Sequence, residues 1–408
     1  NNAIGRNALG VNTTGSYNQA IGRECLDANT SGEMNVAVGH ASLSDNTTGS
    51  RNVAIGFDAL NDNTISSDNT AVGHNALKLN TAGNNTALGR SALAVNTTGT
   101  FNVALGSLSL DANTTGQNNT GIGYESLTSN TTGHDNTAVG MRSMRLTTTG
   151  IENTALGTSS LQHNTSGDSN TAIGRLALQQ NTTANNNTAV GRAVLQQTTT
   201  GQSNSALGVN ALGSTTTGRN NVAVGLASLY TNTTGRDNTA VGLDALAYST
   251  TGEDNTGLGY QAGDNITTGS NNTVIGNAAD ASSATVSNEI TLGNSNISAL
   301  RCQVALTVLS DERDKTDIVD LPVGLDFINS LLPRKFKWQT REGTVKDGSV
   351  RAGFIAQELQ KAQKGSEFLD LVYESNPDKL EATYGNLIPV LVKAIQELSV
   401  KVKTLEAG

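Results

Sequence analysis

Several residue types are scarce in this 408-residue chain, and each shortage excludes a class of protein. Aromatic residues make up 3% and hydrophobic residues 36% of the chain, too few for a conventional globular core along most of its length. All four prolines lie beyond residue 320, as does the only tryptophan, Trp338. No run of about 18 apolar residues occurs, so the sequence predicts neither membrane insertion nor a secretion signal.

Charge and cysteine content exclude further classes. Residues 1–300 contain 11 Lys and Arg against 19 Asp and Glu, a net charge of −8, and residues 301–408 contain 15 against 16, a net charge of −1. Without a basic patch, no nucleic-acid partner is predicted. Cys25 and Cys302 match neither a metal motif nor a disulfide framework, and each is predicted to be a small buried thiol. We predict no cofactor and no metal site.

The chain has a repeat in place of the missing residue types. Glycine recurs every 17 residues, except between Gly73 and Gly89, which are 16 apart. The series is Gly5, Gly22, Gly39, Gly56, Gly73, Gly89, Gly106, Gly123, Gly140, Gly157, Gly174, Gly191, Gly208, Gly225, Gly242, Gly259, Gly276 and Gly293. The repeat unit reads N-x-A-[VIL]-G-x-x-[AS]-L-x-x-N-T-T-G-x-x, in which the first four positions favour a strand and the glycines and N-T-T-G favour turns. Each unit is therefore predicted to be one coil of a parallel β-solenoid about 85 Å long.

Stacking of the coils assigns side chains to rows. Asn69, Asn85, Asn102 and Asn119 are expected to form a ladder of side-chain amides along the axis. Alternation points the Val, Ile or Leu before each Gly to one side and the preceding Ala to the other. Because each coil has only two or three sizeable apolar side chains, we predict that the Ala row, for example Ala104, is buried between the chains of a homotrimer. Three copies of a cysteine at residue 302 could then approach one another around the trimer axis.

The repeats resemble the left-handed parallel β-roll heads of trimeric autotransporter adhesins, through their N-x-A-[VI]-G units. We predict a mainly β protein with a trimeric β-solenoid shaft over 1–293, a neck over 294–309 and a small α+β domain over 310–408. In that domain LPVGLDFINSLL predicts a helix, RKFKWQT a strand, and VRAGFIAQELQKAQ a strand followed by a helix. Apolar residues spaced by four and three predict a coiled coil over 387–405.

Three motifs in the C-terminal region carry a second resemblance. They are S-D-x-R-x-K-x-x-I from Ser310, G-F-I-A-Q-E from Gly353, and YGNLIPVLVKAIQEL from Tyr384. They resemble the intramolecular chaperone of endosialidase type, a self-cleaving domain that ends many phage tailspikes and tail fibres. The resemblance implies that the domain trimerises, guides folding of the preceding β-structure, and then cuts the bond between Leu309 and Ser310.

The resemblance also implies roles for individual residues. Ser310 would be the nucleophile and Lys315 its base, in a single-turnover self-cleavage. The supporting residues would be Asp311, Arg313, Arg351 and Gly353. The best-known members of the family have a His at the position of Arg351, so this chain departs from their pattern there.

The residues themselves allow this chemistry and also an ordinary structural role. A Ser hydroxyl is a weak nucleophile until a base takes its proton, and a lysine five residues away can reach it across a turn. Alternatively, Ser310 caps a turn, while Arg313 and Lys315 pair with neighbouring aspartates such as Asp314 and Asp317 on the surface.

The leading functional hypothesis is a bacteriophage tail fibre or spike shaft, assembled in the host cytoplasm and involved in host attachment. Its expected partners are the other two chains of a homotrimer, other virion tail proteins, and a host-surface receptor or glycan. A cellular trimeric surface adhesin is the alternative, and it would need a C-terminal membrane anchor. The sequence offers no paired carboxylates or metal-binding set that would indicate a glycan-degrading enzyme.

Overall fold

The computed structural model describes residues 1–297, 299–303, 310–337, 350–374 and 380–407. Its first part is a parallel β-solenoid in which eighteen three-residue strands form one sheet. Each strand pairs in parallel with the strand one repeat away, so that Thr154 lies opposite Thr171 and Ala155 opposite Ala172. The predicted mainly β solenoid of 17-residue coils is therefore confirmed.

The solenoid strands are β1 (Asn2–Ile4), β2 (Gln19–Ile21), β3 (Val36–Val38), β4 (Val53–Ile55), β5 (Thr70–Val72), β6 (Thr86–Leu88), β7 (Val103–Leu105), β8 (Thr120–Ile122), β9 (Thr137–Val139), β10 (Thr154–Leu156), β11 (Thr171–Ile173), β12 (Thr188–Val190), β13 (Ser205–Leu207), β14 (Val222–Val224), β15 (Thr239–Val241), β16 (Thr256–Leu258), β17 (Thr273–Ile275) and β18 (Ile290–Leu292).

The glycine after each strand is required by the close approach of neighbouring coils. Gly106 has a φ of +134°, and a Cβ there would lie 2.5 Å from the carbonyl oxygen of Gly123 in the next coil. Four residues after this glycine, Leu110 also has a left-handed backbone, with a φ of +52°. Such a conformation costs a non-glycine residue about 1–2 kcal/mol. It is offset by the complete burial of the Leu110 side chain in the coil interior.

The interior of most coils is filled by the central Ala of the strand, the following Leu, and the small residue before that Leu. In one coil Ala104 and Leu110 are fully buried, and the hydroxyl of Ser109 contacts that of Ser126 at 2.8 Å. The residue before the strand glycine points outward instead, and Leu88 is 46% exposed. The prediction that the Ala row lies between chains is therefore wrong. Ala side chains face the interior of their own coil, because little room remains between the strand and the row of leucines.

Two rows of buried asparagines hold the coils together. In the row that precedes the strands, Asn102 Oδ1 accepts the backbone N–H of Asn119 at 3.0 Å, and Asn102 Nδ2 donates to the Gly116 carbonyl at 2.9 Å. In the row that begins each N-T-T-G turn, Asn113 Nδ2 donates to Asn96 Oδ1 at 2.7 Å. The predicted ladder exists, and each rung of the first row is a bond from a backbone amide to a side chain.

Short helices and strands follow the solenoid. They are α1 (Leu325–Ser330), β19 (Arg334–Lys337), β20 (Val350–Gly353), α2 (Ala356–Ala362), β21 (Val372–Tyr373), β22 (Glu381–Ala382) and α3 (Leu387–Glu406), with 3-10 turns at Glu312–Asp314, Glu367–Leu369 and Tyr384–Asn386. Strands β19 and β20 pair antiparallel, as do β21 and β22. The buried apolar core of this C-terminal region consists of Leu331, Leu359, Leu369, Leu371, Val372, Leu387 and Val390.

Some sequence expectations change in this region. The predicted first helix, 321–332, is shorter and begins after Gly324, where a Cβ would lie 2.5 Å from the carboxylate of Glu397. The predicted strand over 334–340 is described to residue 337, and Trp338 lies outside the described residues. Part of the predicted neck, 304–309, also lies outside them. The buried thiol predicted at residue 302 is wrong, because Cys302 is exposed.

Candidate functional site

The residues of the first C-terminal motif form a compact turn. Asp311 caps the 3-10 turn Glu312–Asp314, because its side chain accepts the backbone N–H of Arg313 at 2.9 Å. The turn closes where the Lys315 N–H donates to the Glu312 carbonyl at 3.1 Å. It reverses the chain so that Lys315 Nζ donates to Ser310 Oγ at 2.5 Å. The predicted nucleophile and base are therefore in direct contact.

An ion pair fixes the same turn from the other side. The Arg313 guanidinium donates to Asp311 through Nη2 at 2.5 Å and through Nε at 3.0 Å. These bonds and the capping N–H hold the pKa of the Asp311 carboxyl below its usual value, and they raise the pKa of Arg313. Asp311 therefore stays ionised and is paired with Arg313. The Lys315 amine is paired with the Ser310 hydroxyl instead.

The surface alternative that the sequence allowed is present in part. Asp311 and Arg313 pair as an exposed ion pair, which contributes little to stability in water. Lys315 differs, because its amine contacts a hydroxyl rather than a carboxylate. Every residue from 310 to 320 is exposed to solvent in the single chain.

Arg351 and Gly353 belong to a separate element, the hairpin of β19 and β20. Arg351 lies opposite Phe336 in this hairpin, and Gly353 lies opposite Arg334. A Cβ at Gly353 would lie 2.8 Å from the phenol oxygen of Tyr384. The glycine therefore lets the hairpin approach the beginning of α3.

Tyr384 joins the hairpin to the C-terminal helix. Its hydroxyl accepts the N–H of Phe354 at 3.0 Å and donates to the carbonyl of the same residue at 3.1 Å. The two rings meet edge to face, with centroids 5.7 Å apart. The G-F-I-A-Q-E motif and the YGNLIPVLVKAIQEL motif are thus in contact, although about 30 residues separate them in the sequence.

Glu397 is a positioning residue that the sequence analysis missed. Its carboxylate lies on α3 and accepts the backbone N–H of Leu325, the first residue of α1, at 2.8 Å. A negative charge at this point satisfies a free amide of the helix start. Gly324, inside the predicted helix 321–332, was the available signal, because only a glycine leaves room for the approaching carboxylate.

Helix α3 has one covered face and one uncovered apolar face. Leu387, Val390 and Ala394 are buried against the domain core. Val392 and Val400 are exposed as well, and the exposed apolar residues that alternate in steps of three and four are Ile388, Leu391, Ile395, Leu398, Val402 and Leu405. This spacing is the heptad pattern of a coiled-coil contact, and the stripe stays exposed along the helix in a single chain.

The described part of the chain shows neither a metal-binding cluster nor a membrane-spanning helix. No group of three or more His, Cys, Asp or Glu side chains is placed there to hold a metal ion. None of the described helices is both long and apolar enough to cross a membrane.

Comparison with known proteins places the turn within a recognised domain. Residues 310–372 match the family described as chaperone of endosialidase. The match begins at Ser310 and includes Lys315, Arg351 and Gly353, and it ends before α3. Searches of curated proteins and of solved structures gave no match. Residues 310–372, which follow the parallel β-solenoid, are therefore similar to chaperone-of-endosialidase domains.

Proposed function

We propose that this protein is the shaft of a trimeric bacteriophage tail fibre or spike, whose C-terminal domain aligns three chains and then cleaves itself off between Leu309 and Ser310. The contact of Ser310 Oγ with Lys315 Nζ, at the first residue of the chaperone-of-endosialidase domain, carries the proposal. Leu309 lies outside the described residues. The shaft would assemble in the host cytoplasm, join other virion tail proteins and present its surface to a host receptor or glycan.

The solenoid itself explains why an assembly domain is needed. Strand pairing places Thr on Thr and Ala on Ala from one coil to the next, as in β10 and β11. Two chains displaced by one coil would therefore face each other with nearly the same side chains. Association at the C-terminal end, through the uncovered face of α3, would set one register before the rods pair.

The cleavage chemistry follows from the two side chains. The neutral amine of Lys315 accepts the hydroxyl proton while Ser310 Oγ bonds to the carbonyl carbon of Leu309. The C–N bond then breaks, the resulting ammonium returns the proton to the departing amine of Ser310, and an ester remains. Water hydrolyses this ester to a carboxylate at Leu309 and a free hydroxyl at Ser310.

Assembly would control the timing of this reaction. In the single chain the turn is exposed, and the Lys315 ammonium donates to Ser310, which is the resting arrangement. Covering the turn with neighbouring chains would remove water and penalise the charged amine. Cleavage would therefore follow trimer formation.

Intact mass measurement on the purified full chain tests cleavage. Wild-type protein should give two pieces that meet between residues 309 and 310, and Ser310→Ala should give one full-length mass. Lys315→Arg is the matched control for charge, since a guanidinium keeps the hydrogen bond but does not act as a base. A full-length mass for wild-type trimer after prolonged incubation would refute self-cleavage and leave the assembly role intact.

The assembly role has its own test. Expressing residues 1–309 alone should give aggregated or misassembled rods, whereas the same residues expressed with the domain should be soluble trimers. Soluble, protease-resistant trimers from the truncated gene would refute the chaperone function.

A further inference from the structure

The outward-facing residues of the solenoid strands form an unusual surface. The first and third residues of β1–β18 point out of the coil, and none of them is charged. The third residue is Val, Ile or Leu in every strand, and we call these eighteen residues the aliphatic row. They are Ile4, Ile21, Val38, Ile55, Val72, Leu88, Leu105, Ile122, Val139, Leu156, Ile173, Val190, Leu207, Val224, Val241, Leu258, Ile275 and Leu292. Many are well exposed, including Leu156 at 47% and Leu207 at 50%.

Charged side chains occur immediately beside this surface. The position after the strand glycine is mixed: it carries arginine in some coils, among them Arg6, Arg90 and Arg175, and an apolar residue such as Leu226 in others. The N-T-T-G turns also lack charge, but they are polar, and the Thr114 hydroxyl donates to the Thr131 carbonyl of the next coil. The aliphatic row is thus a continuous apolar strip along one side of the rod.

The strip is large enough for a stable interface. Ten of the eighteen side chains are at least 36% exposed and the other eight are partly exposed, so the row leaves on the order of 900 Å² of apolar area uncovered. A typical specific interface covers about 800 Å² on each partner. The largest apolar patch of an ordinary monomer covers about 300–600 Å². The rod exposes more apolar surface than an isolated chain normally does.

The regular spacing of the strip indicates which kind of partner fits it. Its side chains repeat at the spacing of stacked strands, about 4.8 Å, along the whole rod. A partner that matches it must repeat at the same spacing over the same length, and a parallel copy of this chain does so. The uncharged surface offers nothing to a charged ligand. The uncovered stripe of α3 gives the same chain a second apolar surface suited to a parallel copy.

We propose that the aliphatic row is the contact between shafts, where three chains pack around a common axis. The third-residue row of one chain lies against the first-residue row, mostly Thr and Val, of the next. Such a contact joins two different surfaces, and a three-fold rotation closes it into a ring. This inference rests on the proposed trimer and identifies the face that forms it.

Site-specific crosslinking of the full chain tests the face. Leu207, in the aliphatic row, and Leu226, which follows a strand glycine, are both 50% exposed and lie about one coil apart. Each is changed to Cys in a Cys302→Ser background, and the remaining Cys25 is buried. A short bismaleimide should join chains through Leu207→Cys and should fail to do so through Leu226→Cys. Native mass measurement on the same samples gives the number of chains.

The outcomes separate this inference from the proposed function. Trimers that crosslink at residue 207 alone support the contact. Trimers that crosslink equally at both positions, or at residue 226 alone, or at neither, would show that another face joins the chains. Wild-type protein that is monomeric would overturn the proposed trimer and the contact with it. Leu207→Lys should also lower the melting temperature of the trimer more than Leu226→Lys does.

Discussion

The two buried asparagine rows make unequal contributions to stability, and one matched pair of substitutions measures the difference. Asn102 and Asn113 lie in the same coil and are both fully buried. Position 113 corresponds to a row in which other coils carry Thr147, Thr198 and Thr215. The row of Asn102 is asparagine in every coil until Glu289. We predict that Asn102→Thr destabilises the solenoid more than Asn113→Thr.

The hydrogen bonds give the size of the difference. Asn102 Oδ1 accepts the backbone N–H of Asn119, and losing that partner orphans a buried amide at a cost of about 1–3 kcal/mol. The two bonds made by Asn102 Nδ2, to Gly116 and Asn85, add about 0.5–1.5 kcal/mol each. The total is about 2–6 kcal/mol.

The substitution at Asn113 leaves every backbone amide bonded. It removes the bonds from Asn113 Nδ2 to Asn96 Oδ1 and to the Gly116 carbonyl, and the bond that Asn113 Oδ1 accepts from Asn130. Among these partners only Asn96 Oδ1, a side-chain oxygen, is orphaned, whereas Asn102→Thr orphans a backbone amide. The same defect already exists in the natural chain, where Asn130 Oδ1 is buried without a partner among the described residues, one coil before Thr147. The coil therefore tolerates threonine in this row.

Hydrogen exchange of single amides is the suitable measurement, because a repeat protein need not unfold in one step. The amide of Asn119 should exchange at least about tenfold faster in Asn102→Thr than in Asn113→Thr, since each 1.4 kcal/mol corresponds to a factor of ten. Gln117→Ala, at an exposed position in the same coil, is the control and should change little. Equal exchange in the two threonine variants would refute the assigned role of the first row.

Three further predictions concern other parts of the chain. Inserting a Thr between Thr81 and Ala82 restores a 17-residue coil and should raise stability by about 1–3 kcal/mol in thermal unfolding, because Asn69 Nδ2 is buried there without a partner in the described structure. Burial, and then the neighbouring carboxylate of Asp280, raise the pKa of Asp264 to about 6. The last coils should therefore lose stability as pH rises through 6, measured by limited proteolysis, and Asp264→Asn should remove that loss. Gly353→Ala should cost the C-terminal domain about 1–3 kcal/mol in chemical denaturation, because the new methyl meets a phenol oxygen, and an unchanged midpoint would contradict the packing described.

The solenoid could be predicted from its period, but the direction of its side chains could not. Alternation along a strand separates Ala104 from Val103 and Leu105 without saying which side is inside. The scarcity of sizeable apolar residues suggested that the Ala row lies between chains. The structure places Ala104 inside its own coil, where Leu110 of the following turn is also fully buried. The left-handed backbone that permits this at Leu110 leaves no signal in a leucine residue.

Part of the candidate site could likewise be predicted from the sequence, and part could not. The spacing of Ser310 and Lys315 predicted their contact, because the intervening residues favour a turn capped by Asp311. The position of Arg351 in the hairpin and the capping of α1 by Glu397 depend on contacts between distant segments. Such contacts depend on how α3 packs against the rest of the domain, and a local sequence motif does not predict that packing.

The one irregular coil shows why the shaft needs an external device to set its register. Between Gly73 and Gly89 the repeat loses one residue, and this coil is the one exception to the 17-residue interval of the strand glycines. The deletion falls in the turn after Asn80, and the strands on either side still pair in step, with Thr70 opposite Thr86. The aliphatic row therefore passes the irregular coil without interruption. Two chains displaced by one coil would still match row against row, and the energy that distinguishes the correct alignment must come from an end of the rod. In the proposed trimer that energy comes from α3 and the domain it packs against, so the domain is needed during pairing and can be lost once the full length of the strip is buried.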